Sequence, residues 1–194
     1  LRWSLIHPQR AAWATLHSDG LPPLLALGVN PFLLVMFAQV YANTGKLPQN
    51  RGKLFAAFVD TLLERERQRH PEGWPGAELL AAAYAALAFA MQQSGQRGTA
   101  VAHRWAENEQ RNGEFDPEQV LYLGASATLL DNTGGQVRFV HQLIQEYFAA
   151  VAWQAHTVQG DDLRQYWPQG WVTSSGWEET AVLLAGLLPD MTSF

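Results

Sequence analysis

The sequence predicts a mainly α-helical chain. A helical unit is followed by a winged-helix unit with one small β-hairpin, and then by the start of a further helical unit. This expectation rests on helix start and stop residues that recur along the chain, on hydrophobic spacing that is helical almost throughout, and on a single Gly-rich hairpin between two helices. The 194 residues are 47 % hydrophobic and only 16 % charged, against about 25 % charged in ordinary soluble domains. A chain of this length buries a substantial core. Its apolar surplus leads us to expect that some apolar surface faces a partner.

Taken in order, Pro8 to His17 is expected as a short helix closed by Ser18-Asp19-Gly20 and the Pro22-Pro23 break. Asn30-Pro31 is a sharp start signal, since Asn caps free amides and Pro suits the first helical position. The run FLLVMFAQVYANTG that follows is nearly all apolar, so it is expected to be buried on most sides until Gly45 ends it. Asn50 opens the next helix, with Leu54, Phe58, Thr61, Leu62 and Arg65 at helical intervals and the charged end ERERQRH trailing into solvent. His70 to Gly76, rich in Pro and Gly, marks the boundary between a helical domain, 1–70, and a winged-helix domain, 71–157.

That second domain begins with an alanine-rich helix ending at Ser94-Gly95, and Thr99 to Glu109 is expected as another short helix. Asp116-Pro117-Glu118-Gln119 has the pattern of a capping box with proline at N1. The strand pair is placed at Thr128 to Leu130 and Gln136 to Val140, joined by Asp131 to Gly135. The helix after it has Val140, Leu143, Ile144, Tyr147, Phe148 and Val151 as an amphipathic stripe. A short helix around Asp161 to Trp167 and a last one from Ser175 to Leu188 fill the third region, 158–194.

Composition excludes several classes. The net charge is −5, from 13 basic and 18 acidic residues, and Lys46 and Lys53 are the only lysines. Proteins that live on phosphate backbones concentrate positive charge, so no nucleic-acid partner is expected. The absence of cysteine removes disulfides and thiolate metal sites and fits a cytoplasmic location. The longest apolar run, Leu79 to Met91, is too short for a bilayer, which needs about 20 residues. No membrane partner is expected. The start at Leu1, without a basic and apolar leader, reads as an excerpt from a longer polypeptide.

Motifs for catalysis are missing. Thr44-Gly45-Lys46-Leu47 fails the phosphate-loop pattern G-x-x-x-x-G-K-[ST] at Val40 and Leu47, so Lys46 reads as a solvated loop residue. The six histidines never pair with one another at metal-ligand spacing with a carboxylate between them. Glu64/Glu66 and Glu178-Glu179 read as solvated helix charges. His141 stands at a strand-to-helix transition, in the first turn of its helix. Either it packs with its ring satisfied by the backbone, or it exploits the anion-favouring helix start to reach a phosphate.

RFVHQLIQEYFAA, residues 138–150, resembles the F-x-H-x-x-x-Q-E-Y-F-A-A motif of the NACHT branch of STAND NTPases, the group that includes NOD-like receptors and many bacterial proteins. Asn30-Pro31-Phe32-Leu33-Leu34, followed by Tyr41 to Arg51, resembles the N-P-[LF]-L-L … T-G-x-L-P-x-N-R segment just after that family's nucleotide-binding core. Trp177-Glu178-Glu179 through Leu188 resembles its junction with helical sensor repeats, which implies the start of a helical, HEAT-like repeat region there. The resemblance implies that Pro31 packs near the base and ribose of a bound nucleotide and that His141 contacts the β-phosphate of ADP, holding a closed state that ATP exchange would open. It further implies ADP or ATP, with Mg in the full-length protein, as cofactor. The implied partners are the protein's own upstream nucleotide-binding domain and, on activation, further copies of itself. Walker motifs are absent from these residues, so the implied role is a regulatory lid and latch in signalling or defence, without a catalytic residue of its own.

Two other classes compete. A winged-helix DNA-binding regulator would use the helix at 117–128, which has no Lys or Arg to hold a major groove. A helical interaction scaffold without ligand would use His141 only for packing.

Overall fold

The computed structural model describes residues 30–111, 113, 115–158 and 175–188. The expected helices at Pro8–His17 and Asp161–Trp167 lie outside them. The described chain is mainly α, in the order α1 (Pro31–Thr44), α2 (Arg51–Arg69), α3 (Ala77–Gln93), β1 (Val101–Ala102), α4 (His103–Gln110), α5 (Pro117–Ser126), β2 (Leu130–Thr133), β3 (Gln136–Phe139), α6 (Gln142–Val158) and α7 (Glu178–Leu187).

Helix ends follow the local chemistry. Asn30 Oδ1 accepts from the Phe32 amide at 3.0 Å with Pro31 at the first position, and Gly45 ends α1 in the left-handed region, donating its N–H to Tyr41 O. Asn50 Oδ1 accepts from the Lys53 amide at 2.9 Å to start α2. The box at Asp116 is only half formed. Its carboxylate accepts from the Glu118 amide, but Gln119 donates its side-chain N–H to Gly73 O, tying α5 to the α2–α3 connection.

The helix α1 is not buried on most sides. Leu33, Met36 and Val40 face the core, while Leu34, Val35 and Tyr41 are 51 %, 54 % and 57 % exposed. Only one face meets α2, so the apolar sequence leaves an exposed stripe.

The sheet also differs from a lone hairpin. It has three antiparallel strands in the order β1-β3-β2, because Val101 and Ala102 leave the expected helix to pair with Val137 and Gln136. The first hairpin strand runs later than expected, through Thr133, with Asp131 opposite Arg138 and bonded to it. The turn shrinks to Gly134-Gly135, whose φ angles of 61° and 73° supply the paired positive values of a tight hairpin. Helix α3, strand β1, helices α4 and α5 and the β2–β3 wing together follow winged-helix order.

Among the described residues one hydrophobic cluster runs from Leu33 of α1 through Phe55 of α2, Tyr84 of α3, Leu121 of α5 and Phe148 of α6 to Leu184 of α7. Tyr84 donates its hydroxyl to Val120 O at 3.0 Å, so its burial is satisfied.

The charged end of α2 reaches solvent at Glu64, Arg67, Gln68 and Arg69, but not at Glu66. Glu66 is fully buried. Its carboxylate accepts from the Ser126 hydroxyl at 2.5 Å and from Arg65 and Arg69 at 3.1 Å. Burial pushes its pKa up, but Ser126, Arg65 and the Arg69 charge outweigh burial and hold it below the usual carboxylate value. Arg65 also donates to Ala127 O at 3.2 Å, so this node fastens α2 to the end of α5.

Candidate functional site

The start of α6 brings strand β3 to its end and turns the backbone, which places His141 just ahead of Gln142. The His141 carbonyl accepts from the Ile144 amide at 3.0 Å, and its Nδ1 accepts from the Leu143 amide at 3.1 Å. The imidazole is therefore the side-chain cap of α6, a place usually taken by Asn, Asp, Ser or Thr. A ring nitrogen that accepts carries no hydrogen, so in the neutral ring the hydrogen sits on Nε2. Among the described residues Nε2 meets no hydrogen-bond partner.

The ring is half-buried because Phe32 covers one face. The two ring centroids are 4.0 Å apart and the planes differ by 1°. Phe32 in turn meets Phe58 of α2 edge-on at 6.3 Å. Burial lowers the His141 pKa below the ordinary imidazole value, so the ring is held neutral and Nε2 is a donor.

Pro31, the second residue singled out by sequence, lies exposed at the first position of α1, next to Phe32. The structure thus brings the starts of α1 and α6 together, with Pro31 and His141 linked through the Phe32 ring. Each helix N-terminus favours an anion placed near it. Among the described residues the site offers one neutral hydrogen-bond donor and no paired nucleophile and base. Among the described residues no group of three metal-ligating side chains exists, and no helix is long and apolar enough to cross a membrane.

Sequence periodicity missed three residues beside this site. Gln145 and Glu146 fall outside the expected apolar stripe of α6, yet both are buried. Gln145 Oε1 accepts from the Gly98 amide at 2.9 Å, fixing the α3–β1 loop against α6. Glu146 accepts from the Gln142 side chain at 2.8 Å and stands 4.0 Å from Arg97. Burial raises the Glu146 pKa and Glu179 adds to the rise, while Gln142, Arg97 and Arg51 oppose it. The available signal was that apolar or small residues occupy nearly every position from Leu143 to Trp153, leaving α6 no polar face on which Gln145 and Glu146 might lie.

Phe32 is the third missed residue, recognisable only as the neighbour of Pro31. Glu179, expected in solvent, instead pairs with Arg51 of α2 at 2.5 Å. Lys46 lies exposed in the α1–α2 connection, as its failed motif implied.

No protein-family model matches the chain, and neither a curated protein nor a solved structure matches it significantly.

Proposed function

We propose that this chain is the regulatory lid and latch of a NACHT-type STAND ATPase, in which His141 donates from Nε2 to the terminal phosphate of bound ADP and Pro31 lies against the same nucleotide. The observation that carries this reading is the division of labour on one ring. Nδ1 is committed to capping α6, burial under Phe32 keeps the ring neutral, and Nε2–H is left as a donor at the meeting point of two helix starts. A neutral donor of this kind suits a diphosphate and supplies no chemistry. The nucleotide itself would be held by a phosphate-binding core in the same polypeptide, with Mg, and the chain would report nucleotide state by releasing or keeping this contact. Cytoplasmic signalling or defence, with self-assembly on opening, is the setting this reading carries.

The test is retention of ADP by the full-length protein carrying His141→Asn. Asparagine preserves a side-chain acceptor for the Leu143 amide and lacks the Nε2 donor. Loss of a hydrogen bond to a charged partner is worth about 1.5–3 kcal/mol, so ADP affinity should fall about tenfold to hundredfold while AMP affinity changes little. Equal affinity for ADP in the two proteins would refute the proposal.

A further inference from the structure

Helix α7 touches both sides of the site's framework. On one side its backbone lies directly on the start of α2. A Cβ added at Gly52 would stand 2.7 Å from Leu183 O, and one added at Gly186 would stand 2.8 Å from Asn50 Oδ1 and 3.0 Å from Gly52 N. No side chain fits between these helices, and Arg51 and Glu179 pair alongside. On the other side, the turn leading into α7 is bound to the winged-helix elements. Gly176 O accepts from Gln92 of α3 at 2.5 Å and from Arg97 of the α3–β1 loop at 2.7 Å. The Trp177 ring packs against Phe89 of α3 at 5.4 Å and Trp153 of α6 at 5.2 Å.

The two bodies that α7 joins are those whose closeness creates the site. Phe32 stands at the start of α1, which packs on α2, and His141 stands at the start of α6. Direct contact between α2 and α6 includes the stacked pair Phe55 and Tyr147 at 5.7 Å, and α7 closes the arrangement from a third direction. We infer that α7 is a strap that clamps α1–α2 onto the winged-helix unit, so that lifting α7 loosens the Phe32–His141 stack and frees the imidazole. The strap would regulate the site proposed above and takes its purpose from that reading. Its test reads helix protection and ring titration with no nucleotide present, so either idea can fail alone.

The experiment is amide hydrogen exchange together with NMR titration of His141 on the chain carrying Gly186→Val, and separately on the pair Arg51→Gln with Glu179→Gln. The expected result is at least a tenfold loss of protection across residues 178–187. The midpoint of His141 titration should rise toward the ordinary imidazole value, while α3 and α5 around Tyr84 and Val120 stay protected. Released α7 with an unmoved His141 titration would overturn the coupling, and unchanged protection of α7 in both variants would overturn the strap. Should the bulkier Gly186→Val variant lose protection everywhere, the charge-neutral pair decides. Loss everywhere in that pair as well would show that α7 is no separable element.

Discussion

The imidazole of His141 lies flat against the ring of Phe32, with 4.0 Å between centroids and 1° between planes. Phe32 thereby performs two tasks. It shields the imidazole from water, and it anchors the start of α1 to the start of α6.

Removing that cover should move the titration of His141. In Phe32→Ala one face of the ring gains solvent, so its pKa should rise toward the ordinary value near 6.5. The lost stacking and burial should lower stability by about 1–2 kcal/mol. NMR titration and urea unfolding check the two parts, and an unshifted pKa would show that Phe32 is not what desolvates the ring.

The cap makes stability depend on pH with a definite sign. A histidine whose folded pKa lies below its unfolded one binds fewer protons when folded, so its contribution is complete above about 6.5 and is lost as pH falls below it. Burial of the ring disfavours its charged form, and a proton on Nδ1 would also face the Leu143 N–H that it now accepts from. His141→Asn should remove this part of the pH slope between about pH 5 and 7, while His141→Ala should cost about 1 kcal/mol at neutral pH through the lost cap. Denaturant midpoints measured across that pH range give the answer.

Glu66 should prove a structural keystone. Its substitution by alanine leaves the half-buried Ser126 hydroxyl without its acceptor and two guanidinium groups without their carboxylate. Because Arg65 and Arg69 retain partial access to water, the loss should be about 2 kcal/mol, below the 3–5 kcal/mol of a fully enclosed pair. Glu66 titrates below its ordinary value, so its contribution is present above about pH 4.5 and is lost as pH falls through the folded pKa. Glu66→Gln should therefore flatten the acid side of the stability profile.

Thr128 ends α5 at φ 60°, a left-handed value that a β-branched residue adopts at a cost of about 1–2 kcal/mol. Backbone bonds around it, from the Thr128 amide to Ala125 O and from the Leu129 amide to Gly124 O, require this conformation. Thr128→Gly should raise stability by about 0.5–1 kcal/mol in chemical denaturation, and a loss there would show that the threonine hydroxyl outweighs the strain.

Much of the helical plan was legible because its signals are local. Asn30-Pro31, Asn50 and Gly45 act within one turn of their own helices, and Gly134-Gly135 sets its hairpin from within. What stayed hidden depends on distant partners. Two residues, Val101 and Ala102, become a strand only because β3 lies beside them. Glu66, Gln145 and Glu146 are polar in sequence and buried in space because α5, the α3–β1 loop and α7 close over them. In α1 the reverse happened, as Leu34, Val35 and Tyr41 found no described element to cover them. At the site, sequence marked His141 and Pro31 but gave no sign of the Phe32 ring that links them.

The most direct measurement concerns the Nε2 atom of His141. In the full-length protein with labelled histidine, saturating ADP and Mg should leave the Nδ1 signal near its capped, accepting position. The same addition should shift the Nε2–H resonance to that of a hydrogen bonded to phosphate oxygen, an effect absent with AMP. An Nε2 signal indifferent to bound ADP would contradict the assignment of this imidazole as the phosphate contact.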